Sequence, residues 1–394
     1  MTTMTARTTE DPTERGGGTA GHGGAQDAPR PGFTIAADGS YAARLAPYGE
    51  VWCPERWSLD GPEPYAVPLP LDQPEEPGTE VLPLADGRVL VRRAVDGRHL
   101  FSLLYPTGPG TGQLQLGAVE TADLTLLPPS PSGSCAYALA PGERSSSVWL
   151  VAGGAFGPEL VAQVPGRCSG GVWLDRTGRM LALDRTLDGR TRTVAVDLER
   201  GGEVSPLLQI GDDSDDRLLL ADPGSGVILV RSDAPGHERL GWGQLGSTLP
   251  VRFPEALCLE DCVVTPLALQ PGQMLAPEAC TVALRIEAAD GAPGTADGGS
   301  WLGVWSPRQR RTQLLPAPYG WLGCGLWSPD QELLLPYVTD DTPCGLARVT
   351  PPPPDEPRVL EPLTAPADAA ALAPAAPRPV SLQQAQLTGR LAAR

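Results

Sequence analysis

The residues best suited to acid–base chemistry lie around His237. Residues 233–238 read as a loop between two strands, and they place Asp233 and Glu238 close to the imidazole. Such a histidine can serve as a general base near neutral pH, because an ordinary imidazole titrates at about pH 6.5. A solvated loop of Pro, Gly and charged residues explains the same composition. We assign His237 no catalytic role. We predict that it contacts a ligand because of the face on which its loop lies, as argued below.

Serine-hydrolase chemistry has no support in the sequence. It requires a nucleophile on a tight Gly-x-Ser-x-Gly turn, a histidine base and an acid. That motif does not occur, and the two other histidines are His22, in a glycine-rich stretch, and His99, at the start of a predicted strand. The chain also contains no lysine, which excludes Schiff-base, pyridoxal-phosphate and P-loop lysines. We predict no catalytic residues and no cofactor.

Two further clusters could hold a metal ion or react as thiols. Residues 211–217 carry four aspartates on a predicted connection between strands, and oxygen ligands on a turning loop suit Ca²⁺. The segment lacks the alternation of an EF-hand, so a solvated acidic turn is the simpler interpretation. Cys258 and Cys262 have no second pair at zinc spacing, which leaves a redox pair and two ordinary thiols as the main alternatives. We assign no metal to either cluster.

Charge and composition limit the partners. The 394 residues carry a formal net charge of −17, and all 30 basic residues are arginine, a usage typical of high-GC bacterial coding. An acidic surface repels phosphate backbones, so we expect neither nucleic acid nor a membrane as partner. No apolar run approaches the roughly 18 residues of a membrane span, and no secretory signal opens the chain. With eight scattered cysteines interpreted as reduced thiols, these features predict a cytoplasmic protein.

The elements that position these residues form a repeat. Residues 173–185 run from a short apolar segment through a polar turn at Gly178 into an alternating segment. Equivalent turns recur at Gly39, Gly87, Gly133, Gly224 and Gly272, and a seventh copy at 327–332 lacks the glycine. Successive spacings are 48, 46, 45, 46, 48 and 59 residues, the last stretched by a Gly/Ala/Asp-rich insertion at 290–300. Such a period predicts an all-β protein, a seven-bladed β-propeller of four-stranded antiparallel blades.

The repeat also resembles a known family. Trp327-Ser328-Pro329-Asp330, Trp305-Ser306-Pro307 and the glycine turns look like the repeat of TolB-like propellers. They are similar as well to the propeller that precedes the hydrolase domain in prolyl-oligopeptidase-type peptidases. The similarity spans residues 32–364 and implies the fold, whereas the motif lies in structural turns and does not define a function. The chain stops where the hydrolase domain of the peptidases would begin, so we expect a propeller without it.

Three parts follow along the chain. Residues 1–31 form a predicted disordered arm, because their Thr, Gly and charged residues bury too little apolar surface to offset ordering entropy. Residues 32–364 form the propeller, and residues 365–394 a Pro/Ala-rich tail.

The predicted binding face carries the blade-to-blade connections and the loops between second and third strands, because seven such loops converge on one axis. The predicted ligand-binding residues on this face are Arg167, Arg217, His237, Tyr319 and Trp321. These features favour a non-catalytic binding or scaffold propeller for a protein, peptide or small-molecule ligand. Two alternatives are a propeller that serves as gate or remnant of a prolyl-oligopeptidase-type peptidase, and a lyase or cyclase without the usual motifs.

Overall fold

Seven antiparallel sheets make up the structure. The computed structural model describes residues 32–272, 276–289 and 300–351, all within one compact unit of residues 1–354. Each sheet is one continuous stretch of chain; five have four strands, and the fifth and seventh have three among the described residues. The predicted seven-bladed propeller of antiparallel blades is confirmed. The predicted arm and tail, and all but the last residue of the 290–300 insertion, lie outside the described residues.

The strands follow one another in chain order. Blades one to four contain β1 (Phe33–Ile35), β2 (Tyr41–Tyr48), β3 (Val51–Ser58), β4 (Tyr65–Pro68), β5 (Glu80–Pro83), β6 (Val89–Val95), β7 (Arg98–Pro106), β8 (Thr111–Glu120), β9 (Thr125–Leu126), β10 (Ala136–Ala140), β11 (Ser145–Ala152), β12 (Glu159–Pro165), β13 (Arg167–Trp173), β14 (Met180–Leu187), β15 (Arg190–Asp197) and β16 (Glu203–Leu208). Blades five to seven contain β17 (Asp216–Ala221), β18 (Val227–Ser232), β19 (Arg239–Gln244), β20 (Cys262–Leu269), β21 (Val282–Ala288), β22 (Trp301–Trp305), β23 (Gln313–Leu315), β24 (Leu326–Trp327), β25 (Leu333–Tyr337) and β26 (Gly345–Val349). Two short 3-10 helices span Glu255–Leu257 and Pro277–Ala279, and no helix of the described residues is long and apolar enough to cross a membrane.

The strand order fixes two faces of the ring. Strands lie side by side in chain order within each blade, and the first strands of most neighbouring blades contact one another. The turns between first and second strands therefore share one face, here called the turn face. The opposite face carries the blade-to-blade connections and the loops between second and third strands, such as residues 209–215, 233–238 and 316–325. We call it the connection face.

The turn face shows why the repeat favours glycine. The seventh turn has Gln331 where the others have glycine, and Gln331 still adopts a left-handed φ of 64°. Its side chain accepts a hydrogen bond from Gln270 Nε2 of the neighbouring turn at 3.1 Å. In the fifth turn the left-handed residue is Gly226, with φ 72°, and not Gly224 as the spacing suggested. The backbone conformation of the turn is thus conserved around the ring even where the residue type changes.

Apolar side chains fill the layers between blades. Trp305 is fully buried between the fifth and sixth blades, and Trp327 is buried between the sixth and seventh. At the seam of the ring, Phe33 and Trp57 of the first blade pack edge to face with ring centroids 4.8 Å apart. Residues of the seventh blade, including Leu346, complete this cluster. The ring therefore closes by side-chain packing between its first and last blades.

His99 is a buried structural residue of the second blade. Its Nδ1 lies 2.9 Å from Arg92 Nη1, and its Nε2 lies 3.1 Å from the carbonyl oxygen of Thr121. A guanidinium only donates hydrogen bonds, so Nδ1 accepts and the Nε2–H donates to the carbonyl. The contacts therefore hold the imidazole in one neutral tautomer, which agrees with the strand-end histidine expected from the sequence.

We expect His99 to make the fold sensitive to mild acid. Burial, followed by the charge of Arg92, lowers the pKa of His99 below its ordinary value of 6.5. The unfolded chain then binds the proton more readily, so stability is present above about pH 6.5 and is lost as the pH falls below it. Urea midpoints at about pH 7.5 and about pH 5.5 should differ less for His99→Gln than for the wild type. Equal differences for both proteins would contradict this role.

Candidate functional site

The five predicted ligand-binding residues all lie on the connection face, but at separate places: Arg167 in the fourth blade, Arg217 and His237 in the fifth, and Tyr319 and Trp321 on the connection to the seventh. Arg167 is the first residue of β13 and Arg217 the second residue of β17, the first strands of two adjacent blades. Arg217 is half-buried and donates from Nη1 to Ser169 Oγ at 3.4 Å, whereas Arg167 is exposed. His237 is exposed on the loop between β18 and β19. The structure therefore links Arg217 to the neighbouring blade and leaves His237 open to solvent.

Tyr319 and Trp321, which precede the seventh blade, differ in exposure and in hydrogen bonding. The side chain of Tyr319 is 89% exposed on the connection between β23 and β24. Trp321 is half-buried, its backbone bridges to Tyr337, and its indole N–H donates to the Cys324 carbonyl at 2.8 Å. Tyr319 is thus available to a partner, while Trp321 helps to hold the connection in place.

A cavity opens on the connection face between the fifth and sixth blades. It has a volume of about 230 Å³. Its lining comes from the end of β18, the start of β19, the start of β20, the loop residue Glu238 and the connection that carries the first 3-10 helix: Arg231, Glu238, Arg239, Leu240, Pro254, Leu257, Cys258, Leu259, Cys262, Val263 and Val264. Glu238, the residue next to the predicted His237, thus lines the cavity, whereas His237 itself does not.

The rim of this cavity carries both signs of charge. Arg231 Nε lies 3.8 Å from Glu238 Oε1, and Arg239 Nη2 lies 2.8 Å from Glu255 Oε1. Glu238 and Glu255 are mostly exposed, so these ion pairs are open to water and to exchange with a ligand. Arg239 Nε is buried and has no hydrogen-bond partner among the described residues. An unpaired buried donor costs free energy that an acceptor on a ligand would recover.

The floor of the cavity is apolar and buried. Leu240, Leu257 and Val264 are buried and belong to the packed layer between the two blades. Val263, by contrast, is 47% exposed at the edge of the cavity. The cavity therefore combines a preformed apolar floor with a polar rim, which is the usual composition of a small-ligand or side-chain pocket.

All eight cysteines are free thiols in the structure. Cys258 is exposed and Cys262 half-buried, and both line the cavity. Burial raises the pKa of Cys280 to about 12, so that thiol stays protonated at neutral pH. Among the described residues no group of three His, Cys, Asp or Glu side chains is placed to hold a metal ion.

The acidic segment 211–217 differs from the solvated turn expected from the sequence. Asp216 is fully buried and accepts hydrogen bonds from Ser232 Oγ at 2.6 Å, the Ile210 amide at 2.8 Å and Ser214 Oγ at 3.0 Å. Asp215 accepts from the Thr191 amide at 2.7 Å. These two carboxylates therefore pair with backbone and hydroxyl donors where the fourth blade joins the fifth.

Comparisons with known proteins agree with this fold. No protein-family model and no curated protein sequence matches the chain. Several solved structures do match it. TolB from Acinetobacter baumannii is 9% identical, with 78% of each chain covered and a TM-score of 0.41. Prolyl oligopeptidase B from Galerina marginata is 12% identical, with 77% of this chain and 45% of that one covered and a TM-score of 0.48.

A third structure extends the same pattern. The acylaminoacyl peptidase of Pyrococcus horikoshii is 10% identical, with 78% of this chain and 49% of that one covered and a TM-score of 0.45. The chain resembles TolB and the propellers of prolyl-oligopeptidase-type enzymes, as its repeat predicts. The chain spans less than half of the two peptidases.

Sequence reasoning missed several residues of the cavity. Neither Arg231 nor Arg239 was predicted to bind ligand, and Cys258 and Cys262 were predicted to be a redox pair or two ordinary thiols, without a place in a pocket. A partial signal existed, since residues 231 and 239 lie on either side of the predicted loop of His237. The remaining wall comes from residues 254–259, whose position over the blade follows from no repeat pattern.

Proposed function

We propose that the protein is a non-catalytic binding or scaffold propeller of the cytoplasm. Its ligand, a peptide, a protein segment or a small metabolite, enters the cavity between the fifth and sixth blades. The observation that carries this proposal is the combination of a buried apolar floor with the unpaired Nε of Arg239 at the rim. Such a surface binds a group that has an apolar part next to a polar one.

The size of the cavity limits which ligands can enter it. About 230 Å³ is below the usual range for drug-sized ligands, which starts at about 300 Å³. One apolar side chain of a peptide fits such a volume, with its neighbouring backbone carbonyl or carboxylate facing Arg239. Glu238 and Arg231 on the same rim suit the polar groups that follow along a peptide.

A macromolecular partner would extend beyond the cavity over the connection face. Exposed aromatic and arginine side chains are enriched at protein interfaces. Tyr319, His237 and Arg167 are exposed on this face. We propose that they, with Arg217 and Trp321, form the wider contact area around the cavity.

The test is to block the cavity without disturbing its floor. Val263→Arg places a long charged side chain at the cavity edge, at a position that is 47% exposed. Leu249→Arg is the matched control, since Leu249 is 61% exposed in the neighbouring fifth blade, beyond the turn-face end of β19. The probes are a synthetic array of acetylated hexapeptides with one central residue varied, and a panel of amino acids and short peptides in a thermal-shift assay.

We expect the wild type and Leu249→Arg to bind the same peptides, with a preference for an apolar central residue. Val263→Arg should weaken this binding at least tenfold, because the apolar side chain loses its pocket. Binding that persists in Val263→Arg, or no binding by the wild type, would reject the cavity. Turnover of a bound probe that disappears in His237→Ala would replace the binding role with an enzymatic one.

The cytoplasmic part of the proposal is tested by the thiols. A cytosolic protein keeps its cysteines reduced, so all eight should react with a thiol reagent after denaturation without reductant. In the native protein the exposed Cys258 should react first and the buried Cys280 last. Disulfides in freshly isolated protein, detected by mass spectrometry, would instead support an exported protein.

A further inference from the structure

A second site lies on the hairpin of β14 and β15 in the fourth blade. The register pairs Arg185 with Arg192 and Leu187 with Arg190 across the two strands. The turn between them is Asp188-Gly189, both with positive φ, which is the residue choice of a two-residue hairpin. Three guanidinium groups therefore project from one face of one hairpin. Like charges directly opposite each other destabilise a strand pair, so this arrangement carries a cost when nothing is bound.

These side chains surround a cavity of their own. It has a volume of about 220 Å³ and is lined by Arg185, Leu187, Asp188, Arg190 and Arg192. That is the volume of about seven water molecules in the liquid, enough for an oxyanion with a small organic group. The Nε atoms of Arg185 and Arg192 are buried and have no hydrogen-bond partner among the described residues. Two donors at the cavity thus lack an acceptor.

The protein's own acceptors satisfy only part of this cluster. Arg192 donates from Nη1 to Gln209 Oε1 at 3.2 Å and from Nη2 to the Asp212 carbonyl at 2.5 Å. Arg190 Nη2 lies 3.7 Å from Asp213 Oδ1, a carboxylate that is 93% exposed. The carboxylate of Asp188 at the turn completes the charged groups around the cavity. The three arginines outnumber the two aspartates, so the charge of the cluster favours binding of an anion.

The equivalent hairpin of the second blade shows what a purely structural version looks like. Its turn, Asp96-Gly97-Arg98, repeats the sequence and the positive φ values of the fourth-blade turn. There Arg93 stands opposite Leu100, not another arginine. Arg93 also donates from Nε to Glu75 at 2.8 Å. Arg185, at the matching place, stands opposite Arg192, and its Nε has no hydrogen-bond partner in the described part of the chain.

We propose that the hairpin of β14 and β15 is a binding site for a phosphate group, either inorganic phosphate or the phosphate of a small phosphomonoester. Arginine presents a planar fork of donors that matches phosphate oxygens and binds them bidentately. A dianion would supply acceptors to both unpaired Nε atoms and would neutralise the repulsion between Arg185 and Arg192. The site is separate from the cavity between the fifth and sixth blades.

The test uses inorganic phosphate and glycerol phosphate as probes in isothermal titration and thermal-shift assays, at constant ionic strength set with chloride. We expect saturable binding at one site by the wild type, with a rise in melting temperature. Arg185→Gln and Arg192→Gln should each weaken the binding at least tenfold. Without the anion Arg185→Gln should melt at or above the wild-type temperature, because the repulsion is removed, whereas Arg192→Gln also loses the bonds to Gln209 and Asp212. Tighter binding of glycerol phosphate than of phosphate would identify an organic ligand.

Two controls separate a site from general charge effects. Arg98→Gln removes an exposed arginine from the matching hairpin of the second blade and should bind phosphate like the wild type. Val263→Arg should do the same, since it blocks only the other cavity. Phosphate binding that does not saturate at millimolar concentration, or that is unchanged by both Arg185→Gln and Arg192→Gln, would overturn the proposal.

Discussion

Trp57→Ala is expected to cost about 3–5 kcal/mol of folding free energy, the range for removing a fully buried aromatic side chain. Trp57 is completely buried, packs against Phe33 and stacks with the Arg44 guanidinium at 5.4 Å. Its cluster includes residues of both the first and the seventh blade. The truncation should therefore loosen the seam of the ring as well as one blade.

The control for this variant lies on the same strand. Trp52→Ala removes an indole that is 40% exposed on β3, and surface changes usually alter stability by less than about 0.5 kcal/mol. Guanidinium denaturation midpoints of the two variants provide the measurement. Similar midpoints for both would show that the seam contributes little to the stability of the ring.

Asp216→Ala is expected to destabilise the fold by about 3 kcal/mol or more. Asp216 is fully buried, and its carboxylate accepts three hydrogen bonds from residues on both sides of the junction between the fourth and fifth blades. The alanine leaves the Ile210 amide and the Ser214 and Ser232 hydroxyls without this acceptor. Bonds to a charged group contribute more than neutral ones, about 1.5–3 kcal/mol each, although they do not add fully.

Two companion variants separate the carboxylate from the general acidity of the segment. Asp213→Ala removes a side chain that is 93% exposed and should stay within about 0.5 kcal/mol of the wild type. Asp216→Asn keeps one acceptor oxygen and should fall between the two alanine variants. Urea denaturation measures all three. If Asp213→Ala lost as much folding free energy as Asp216→Ala, the net charge of the segment, and not the buried contacts, would determine its contribution to stability.

The fold was predictable because the repeat consists of residues with strong local backbone preferences. A turn that needs a left-handed residue selects glycine, and the spacing between such turns equals the chain length of one blade. Even the seventh turn, with Gln331 in place of glycine, keeps the conformation. The face that carries the loops follows from strand order alone. Fold and face therefore come from local chemistry repeated seven times.

The site was less predictable, because its chemistry depends on burial. Arg239 and Arg231 look like ordinary strand-end arginines until residues 254–259 cover one side of them. Asp216 looks like its exposed neighbour Asp213 until Ser232 of the next strand encloses it. By contrast, the Arg185–Arg192 pair could be read from the Asp188-Gly189 turn, since a two-residue turn fixes the register.

The blade-by-blade construction of the ring has a consequence for how such a chain can change over generations. Each described sheet is one uninterrupted segment, and within the described residues no strand from the first blade joins the last sheet. A gene duplication or deletion of one repeat would thus add or remove a whole blade without leaving half of a sheet behind. The seam is held by side chains such as Phe33 and Leu346, so the packing there can readjust to a new neighbour. Blade number in this architecture can drift by recombination, while each loop acquires its own binding chemistry.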